Sequence, residues 1–192
     1  MLSAIIDTYE SERALVRTLA ALVPGATAGL IAEVVVADAG LAEETEEIAD
    51  MAGCRFLRSG APQGTRLKAA VEATRTRWLM FLPAGTVPAP DWIAASERFM
   101  QANDLGDGSG RAAMFRPAGF ADPLRPGFGE IIKVLRFACG GRPGPEQGLL
   151  ITRRLYGEVG GHPEGAEADA ALLRKLGRRR IAMLSAAAAV TR

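Results

Sequence analysis

Residues 78–91 read WLMFLPAGTVPAPD, and this stretch decides the fold. Five apolar residues, Trp78 to Leu82, stop at Pro83-Ala84-Gly85-Thr86, and Pro88 and Pro90 follow before a helical pattern starts at Asp91. A short apolar run closed by Pro and Gly has the pattern of a buried strand ending in a loop. In open α/β sheets, ligands sit beyond the carboxyl ends of such strands. A binding site is therefore expected around residues 83–86, although that loop carries no charged side chain.

Upstream, strand and helix patterns alternate. Leu2 to Ile6 reads as a strand, and Leu15, Leu19 and Leu22 recur at helical spacing, with Ser11 as N-cap and Pro24-Gly25 as the stop. Glu33 to Ala37 contains three consecutive valines, as a buried parallel strand would. Ala42 to Met51 is helical, with acids crowding its first turn where the helix dipole favours them. Arg55 to Leu57 reads as a strand and Gly64 to Thr76 as a helix. This alternation predicts a parallel sheet covered on both faces.

Downstream of Gln101 the alternation lapses. Residues 103–110 read as a turn, Ala112 to Arg116 as a strand, Gly129 to Cys139 as a helix and Gly140 to Pro145 as loop. Gly148 to Thr152 reads as a buried strand. Arg153 to Val159 reads as a helix closed by Gly160-Gly161, and Leu172 to Leu176 as a helix capped by Gly177. Ile181 to Leu184 is the last expected strand, and Ala186 to Ala189 is expected to be a frayed tail.

The chain has 192 residues, 48% of them hydrophobic, enough for one packed domain over 1–192. The weak point at 101–111 separates a nucleotide-fold half, residues 1–100, from a second half, residues 112–192. Net charge is +1, from 23 basic against 22 acidic residues, which gives no reason to expect a nucleic-acid partner. Cys54 and Cys139 have no metal-like spacing and read as reduced thiols of a cytoplasmic protein. No apolar run approaches the length of a membrane span.

The segments SAIIDTYESE, EVVVADAGLAEET, RWLMFLPAGT and EQGLLITRRLYGEVGGHPE fall in the order and spacing of a family 2 glycosyltransferase, and the chain resembles the short bacterial members. The resemblance implies an α/β GT-A-like fold, with a mostly parallel central sheet and helices on both faces. It implies a glycosyltransferase that moves a sugar from a nucleotide-diphosphate donor, most often a UDP-sugar, to an unknown acceptor. Thr8 matches the family at the end of the first strand, where Asp7 departs. Asp38 matches the residue that accepts hydrogen bonds from uracil. Pro62-Gln63-Gly64 lacks the family's diphosphate-contacting Arg, and Arg66, one turn on, is its candidate substitute. Ala84 and Gly85 complete the set expected to line the donor. Asp169 aligns with the family's catalytic base, and Glu146-Gln147 and His162 are expected near the acceptor.

The family's metal-binding acids align with Pro83 and Gly85. Hard divalent cations need oxygen ligands, so no tightly held metal is expected, with Mg²⁺ or Mn²⁺ at most accompanying the nucleotide-sugar weakly. Two functions remain open: an active transferase, and an inactive relative serving as a nucleotide-binding or regulatory module. Dinucleotide and P-loop binding lack their glycine motifs. Arg174, Lys175, Arg178, Arg179 and Arg180 form the one charge cluster. Such a cluster suits a diphosphate, an anionic membrane surface in peripheral contact, or a solvated helix end.

Overall fold

The structure, a computed structural model, describes residues 1–106, 110–118 and 144–191. The expected helix at Gly129–Cys139 lies outside these residues. Eight strands form one sheet: β1 (Leu2–Thr8), β2 (Ile31–Asp38), β3 (Arg55–Arg58), β4 (Trp78–Pro83), β5 (Thr86–Pro88), β6 (Ala112–Pro117), β7 (Leu149–Thr152) and β8 (Ile181–Val190), in the order β3-β2-β1-β4-β7-β6-β8-β5. β1 pairs in parallel with β2 and β4, as β2 does with β3 and β6 with β8. The β4–β7, β6–β7 and β5–β8 pairs are antiparallel. The expected α/β sheet forms, with β2 and β4 interior and antiparallel pairs confined to its second half.

Among the described residues six helices follow in chain order: α1 (Glu12–Thr27), α2 (Glu43–Met51), α3 (Gln63–Glu72), α4 (Trp92–Leu105), α5 (Arg153–Glu158) and α6 (Ala168–Leu176). Strand alternation sends Ile6, Val36, Met80 and Leu82 into a core with Leu15, Leu22 and Trp92 of α1 and α4. It sends Ile5, Val35, Leu79 and Phe81 into a second core with Leu67, Leu155 and Leu172 of α3, α5 and α6. Both faces of the sheet are thus buried.

Three expectations near the chain's small residues and prolines are corrected. Pro24-Gly25 does not stop α1, which runs on to Thr27; a Cβ on Gly25 would lie 2.5 Å from the Trp92 ring, so the glycine admits the indole. Residues 86–88 form a strand, tolerated with its proline because β5 is an edge strand. Ala186 to Ala189 do not fray: they belong to β8, with Ala186, Ala187 and Ala188 buried between β6, β5 and α4.

Candidate active site

Parallel pairing sets Thr8 against Asp38 and Asp7 against Pro83 at one carboxyl edge of the sheet. The period-2 alternation then divides this edge into two places. Thr8 and Asp38 follow Ile6 and Val36 toward α1 and α2. Asp7 and Pro83 follow Ile5 and Phe81 toward α3 and α6.

On the first face, the Asp38 side chain is wholly buried and neither carboxylate oxygen has a hydrogen bond. Its nearest cation is Arg58, with Nε 3.9 Å from Oδ2, and Arg58 also donates to the Ala42 carbonyl and pairs with Glu46 at 3.4 Å. The Thr8 hydroxyl, 3% exposed as a residue, is likewise unpartnered. Gly40 closes over Asp38: a Cβ there would lie 3.3 Å from Oδ1. Burying polar atoms unpaired costs free energy, so this corner holds acceptors that the chain itself does not satisfy.

On the second face every carboxylate oxygen is engaged. Arg66 Nη2 donates to Asp7 Oδ1 at 2.6 Å. The Gln63 amide nitrogen donates to Asp7 Oδ2 at 2.8 Å and to Asp169 Oδ2 at 2.9 Å, while its Oε1 accepts from the Ala168 N–H at 2.9 Å. That last bond fixes which end of the amide faces the acids. His162 Nε2 lies 3.0 Å from Asp169 Oδ1, and Nδ1 lies 2.8 Å from the Tyr156 hydroxyl. Burial raises Asp7 above the usual carboxylate range, and this outweighs the opposing hydrogen bonds from Gln63 and Arg66.

Asp7 and Asp169 line one small concavity with Phe81, Pro83, Met114 and Pro145. The two acids reach it from β1 and α6, and Arg66 of α3 holds Asp7 beside it. Gly64 permits this convergence: a Cβ there would fall 1.8 Å from the Pro163 carbonyl oxygen, so only glycine lets α3 meet the turn ahead of α6 so closely.

The sequence-predicted residues are therefore split. Asp169 lines the concavity, and Arg66 lies beside it, committed to Asp7 and 6% exposed, with Nε unpartnered. Thr8 and Asp38 lie together on the other face. Ala84 hydrogen-bonds through its N–H to the Asp7 carbonyl at 2.8 Å. Gly85 turns toward α1: its N–H donates to Thr18 Oγ1 at 2.9 Å, and its carbonyl accepts from the Thr191 N–H at 2.8 Å. It does not line the concavity that holds Asp169. Gln147 is buried with Oε1 unpartnered, and Glu146 is exposed, its carbonyl accepting from Thr86 at 3.0 Å.

Pro83 and Gly85 do not fit a divalent cation. Neither has a side-chain oxygen, and at Gly85, where φ is +94°, a Cβ would lie 2.2 Å from the Thr191 carbonyl oxygen. The end of β8 fills the space an acidic side chain would need. Among the described residues no group of three His, Cys, Asp or Glu side chains is placed to hold a metal.

Within the basic cluster Arg178–Arg180 are remote from all of this, whereas Lys175 of α6 donates to the Gly161 carbonyl beside His162. β8 starts at Ile181 beside Ala112, and β6 runs in the direction of β4, so Arg178–Arg180 lie at the amino edge of the sheet. That position sets these three arginines at the edge opposite the one that holds Asp7, Asp38 and Asp169. Among the described residues no helix is long and apolar enough to cross a membrane.

Gln63, Asp7 and Tyr156 were not among the expected site residues; His162 was, and it touches Asp169 without lining the concavity. The only sequence signal for Asp7 and Gln63 was their departure from the family's Pro and Arg.

Residues 3–133 match glycosyl transferase family 2, more than half of the chain. The chain belongs to this family. No curated protein matches it. Among solved structures, glucosyl-3-phosphoglycerate synthase from Mycobacterium tuberculosis, in complex with Mn²⁺, UDP and glucosyl-3-phosphoglycerate, superposes with a TM-score of 0.67 at 19% identity, covering 95% of this chain and 68% of that one. The same synthase has been solved with Mn²⁺ and UDP-glucose, and with Mg²⁺ and UDP. S. aureus TarS 1-349 superposes with a TM-score of 0.72 at 16% identity, covering 99% of this chain and 60% of that one. At these identities the likeness is one of fold, and the fold is GT-A.

Proposed function

We propose that this family 2 member is a glycosyltransferase that uses a uridine-diphosphate sugar. In this reading Asp38 and Thr8 receive the nucleobase and Asp169 is the general base toward the acceptor hydroxyl. The observation that carries it is the Asp38 carboxylate, buried with both oxygens unpartnered at the position where the family reads uracil. Uracil's imide N–H is a donor suited to such an acceptor. The synthase of the same fold that is solved with UDP and UDP-glucose supports the donor class.

Asp169 suits the base role. Its side chain is 18% exposed, it borders the concavity, and its two oxygens are held from behind by Gln63 and His162. It would take the proton of an acceptor hydroxyl as the new glycosidic bond forms. Arg66, with Nε unpartnered beside the concavity, is the buried cation nearest the leaving diphosphate in this arrangement.

The second reading, an inactive relative that binds nucleotide, is favoured by the unsuitability of Pro83 and Gly85 as metal ligands. One experiment addresses both. Calorimetry with UDP, UDP-sugars and the corresponding GDP and ADP compounds, with and without Mn²⁺, should show uridine-selective binding that Asp38→Ala abolishes. Equal affinity for all bases, or binding unaltered in Asp38→Ala, contradicts the nucleobase assignment. Uridine-selective binding without sugar transfer or donor hydrolysis across an acceptor panel selects the second reading.

A further inference from the structure

We propose that His162 and Tyr156 are positioning residues for Asp169: a buried, uncharged imidazole, held in one tautomer by the tyrosine hydroxyl, aims the carboxylate into the concavity. The catalytic part of this inference rests on the reading of Asp169 as the base; the tautomer does not.

The hydrogen-bond pattern determines where each proton sits. The backbone N–H of His162 donates to the Tyr156 oxygen at 3.2 Å. The hydroxyl's own proton is then directed to His162 Nδ1, 2.8 Å away. With Nδ1 accepting, a neutral ring carries its proton on Nε2, which donates to Asp169 Oδ1 at 3.0 Å. Burial pushes the Tyr156 hydroxyl up to about 12, so it remains a donor at any working pH.

The enclosure is rigid. His162 has no exposed surface, and its ring stands edge-on to Phe81 at 4.7 Å and tilted against Tyr156 at 5.4 Å. Phe81 and Tyr156 stack at 5.4 Å. A Cβ on Gly161 would lie 2.9 Å from the Tyr156 ring, so the chain before His162 lies directly on the tyrosine. Asp169 is gripped from two sides, by His162 on Oδ1 and Gln63 on Oδ2. The other charged groups nearby are Asp7 on β1, through the shared Gln63 amide, and Arg66 on α3, which is bound to Asp7. Lys175 of α6 donates to the Gly161 carbonyl, and Glu72 of α3 acts on Tyr156 at longer range. A neutral donor orients the carboxylate while weakening its basicity less than an imidazolium would.

His162 is the only histidine in the chain, so its ring can be observed without assignment. Long-range proton–nitrogen spectra of the nitrogen-15-labelled full chain at neutral pH should show one neutral ring protonated on Nε2. Tyr156→Phe should turn that signal into a mixture of tautomers. An imidazolium, an Nδ1-protonated ring or a mixture in the parent protein overturns the proposal.

The functional arm measures kcat against pH. His162→Phe, which keeps the aromatic packing, should lower kcat by about tenfold, leave donor affinity unchanged and move the acidic limb upward by about one unit, because a carboxylate that loses a donor is easier to protonate. His162→Gln, which restores an amide donor toward Asp169, should bring the limb back. A lower melting temperature with an unmoved limb would show packing alone and overturn the positioning role. Full turnover in Asp169→Asn would instead remove the underlying base assignment and leave the tautomer result standing.

Discussion

The two faces of the sheet's carboxyl edge treat their carboxylates in opposite ways. Asp38, on the α1 side, is sealed from solvent and its carboxylate makes no hydrogen bond. Asp7 and Asp169, on the α3 side, have all four oxygens engaged by Arg66, Gln63 and His162. Adjacent residues of one strand, Asp7 and Thr8, fall on different sides of this division because alternate side chains point to opposite faces. The first corner leaves its acceptors vacant. A saturated network is organised to hold its own members still. In the reading proposed above, the first receives the nucleobase and the second fixes the base.

The largest effect should come from opening the saturated side. Arg66→Met leaves the partly buried Asp7 without its cation; breaking a fully buried pair costs about 3–5 kcal/mol, which sets the upper end here. Denaturant unfolding at neutral pH should show a loss of up to this size. The loss should shrink in acid, since Asp7 can escape by taking a proton. The parent protein has its own pH trend. Asp7 is raised above 3.8 in the folded state, so the folded form binds the proton more tightly than the unfolded chain. Its contribution is therefore most favourable below 3.8 and is lost as pH rises through the folded value. An Arg66→Met penalty equal at neutral and mildly acidic pH would show that Asp7 does not bear it.

The vacant side should respond with the opposite sign. Asp38→Asn removes a charge that nothing in the chain neutralises by a hydrogen bond, so the unliganded protein should gain about 1–2 kcal/mol. Uridine nucleotide binding should fall at the same time, because the amide presents a donor where the base needs an acceptor. A variant that is both less stable and equally good at binding would erase the contrast between the two faces.

A smaller, purely geometric effect is expected at the gap between α3 and the turn ahead of α6. Gly64→Ala places a methyl group on the Pro163 carbonyl and should cost about 1–3 kcal/mol by overpacking. Because Gln63 is the adjacent residue, the two carboxylates should separate, and kcat should fall more than donor affinity does. Loss of affinity with kcat preserved would mean that the network serves the donor and not the base.

The legible parts of this chain are those whose physics is local. Trp78 to Leu82 is an apolar run stopped by Pro83, Glu33 to Ala37 carries three consecutive valines, and each lies in an interior strand. Asp38 could be singled out by its place at such a strand's end, and Asp169 by resemblance. Ala186 to Ala188 gave no local signal, since alanine has little strand preference, and their burial depends on β5, β6 and α4 closing around them. The Gln63 clamp was invisible for the same reason in stronger form: it joins residues 56 and 106 positions away. Gly85 illustrates the remaining difficulty. Alignment placed it where a metal-binding acid stands, but only the position of Thr191 shows that no acidic side chain fits there without displacing β8.

Thr8 offers the smallest and most discriminating comparison. Its hydroxyl is buried and unpartnered, as is Asp38, its cross-strand neighbour. It is neutral, however, so leaving it unsatisfied costs far less than leaving a carboxylate unsatisfied. Thr8→Val keeps the branched shape and removes only the hydroxyl's polarity. The unliganded protein should therefore unfold within about 1 kcal/mol of the parent, on the stable side. If the hydroxyl waits for the nucleotide, its loss should weaken uridine diphosphate binding by the worth of one neutral hydrogen bond, about 0.5–1.5 kcal/mol or roughly twofold to thirteenfold. The pairing of results is what matters. Unchanged stability with weakened binding assigns the hydroxyl to the ligand. Weakened stability with unchanged binding would show that Thr8 has an internal partner in solution, and the vacant corner would then reduce to Asp38 alone.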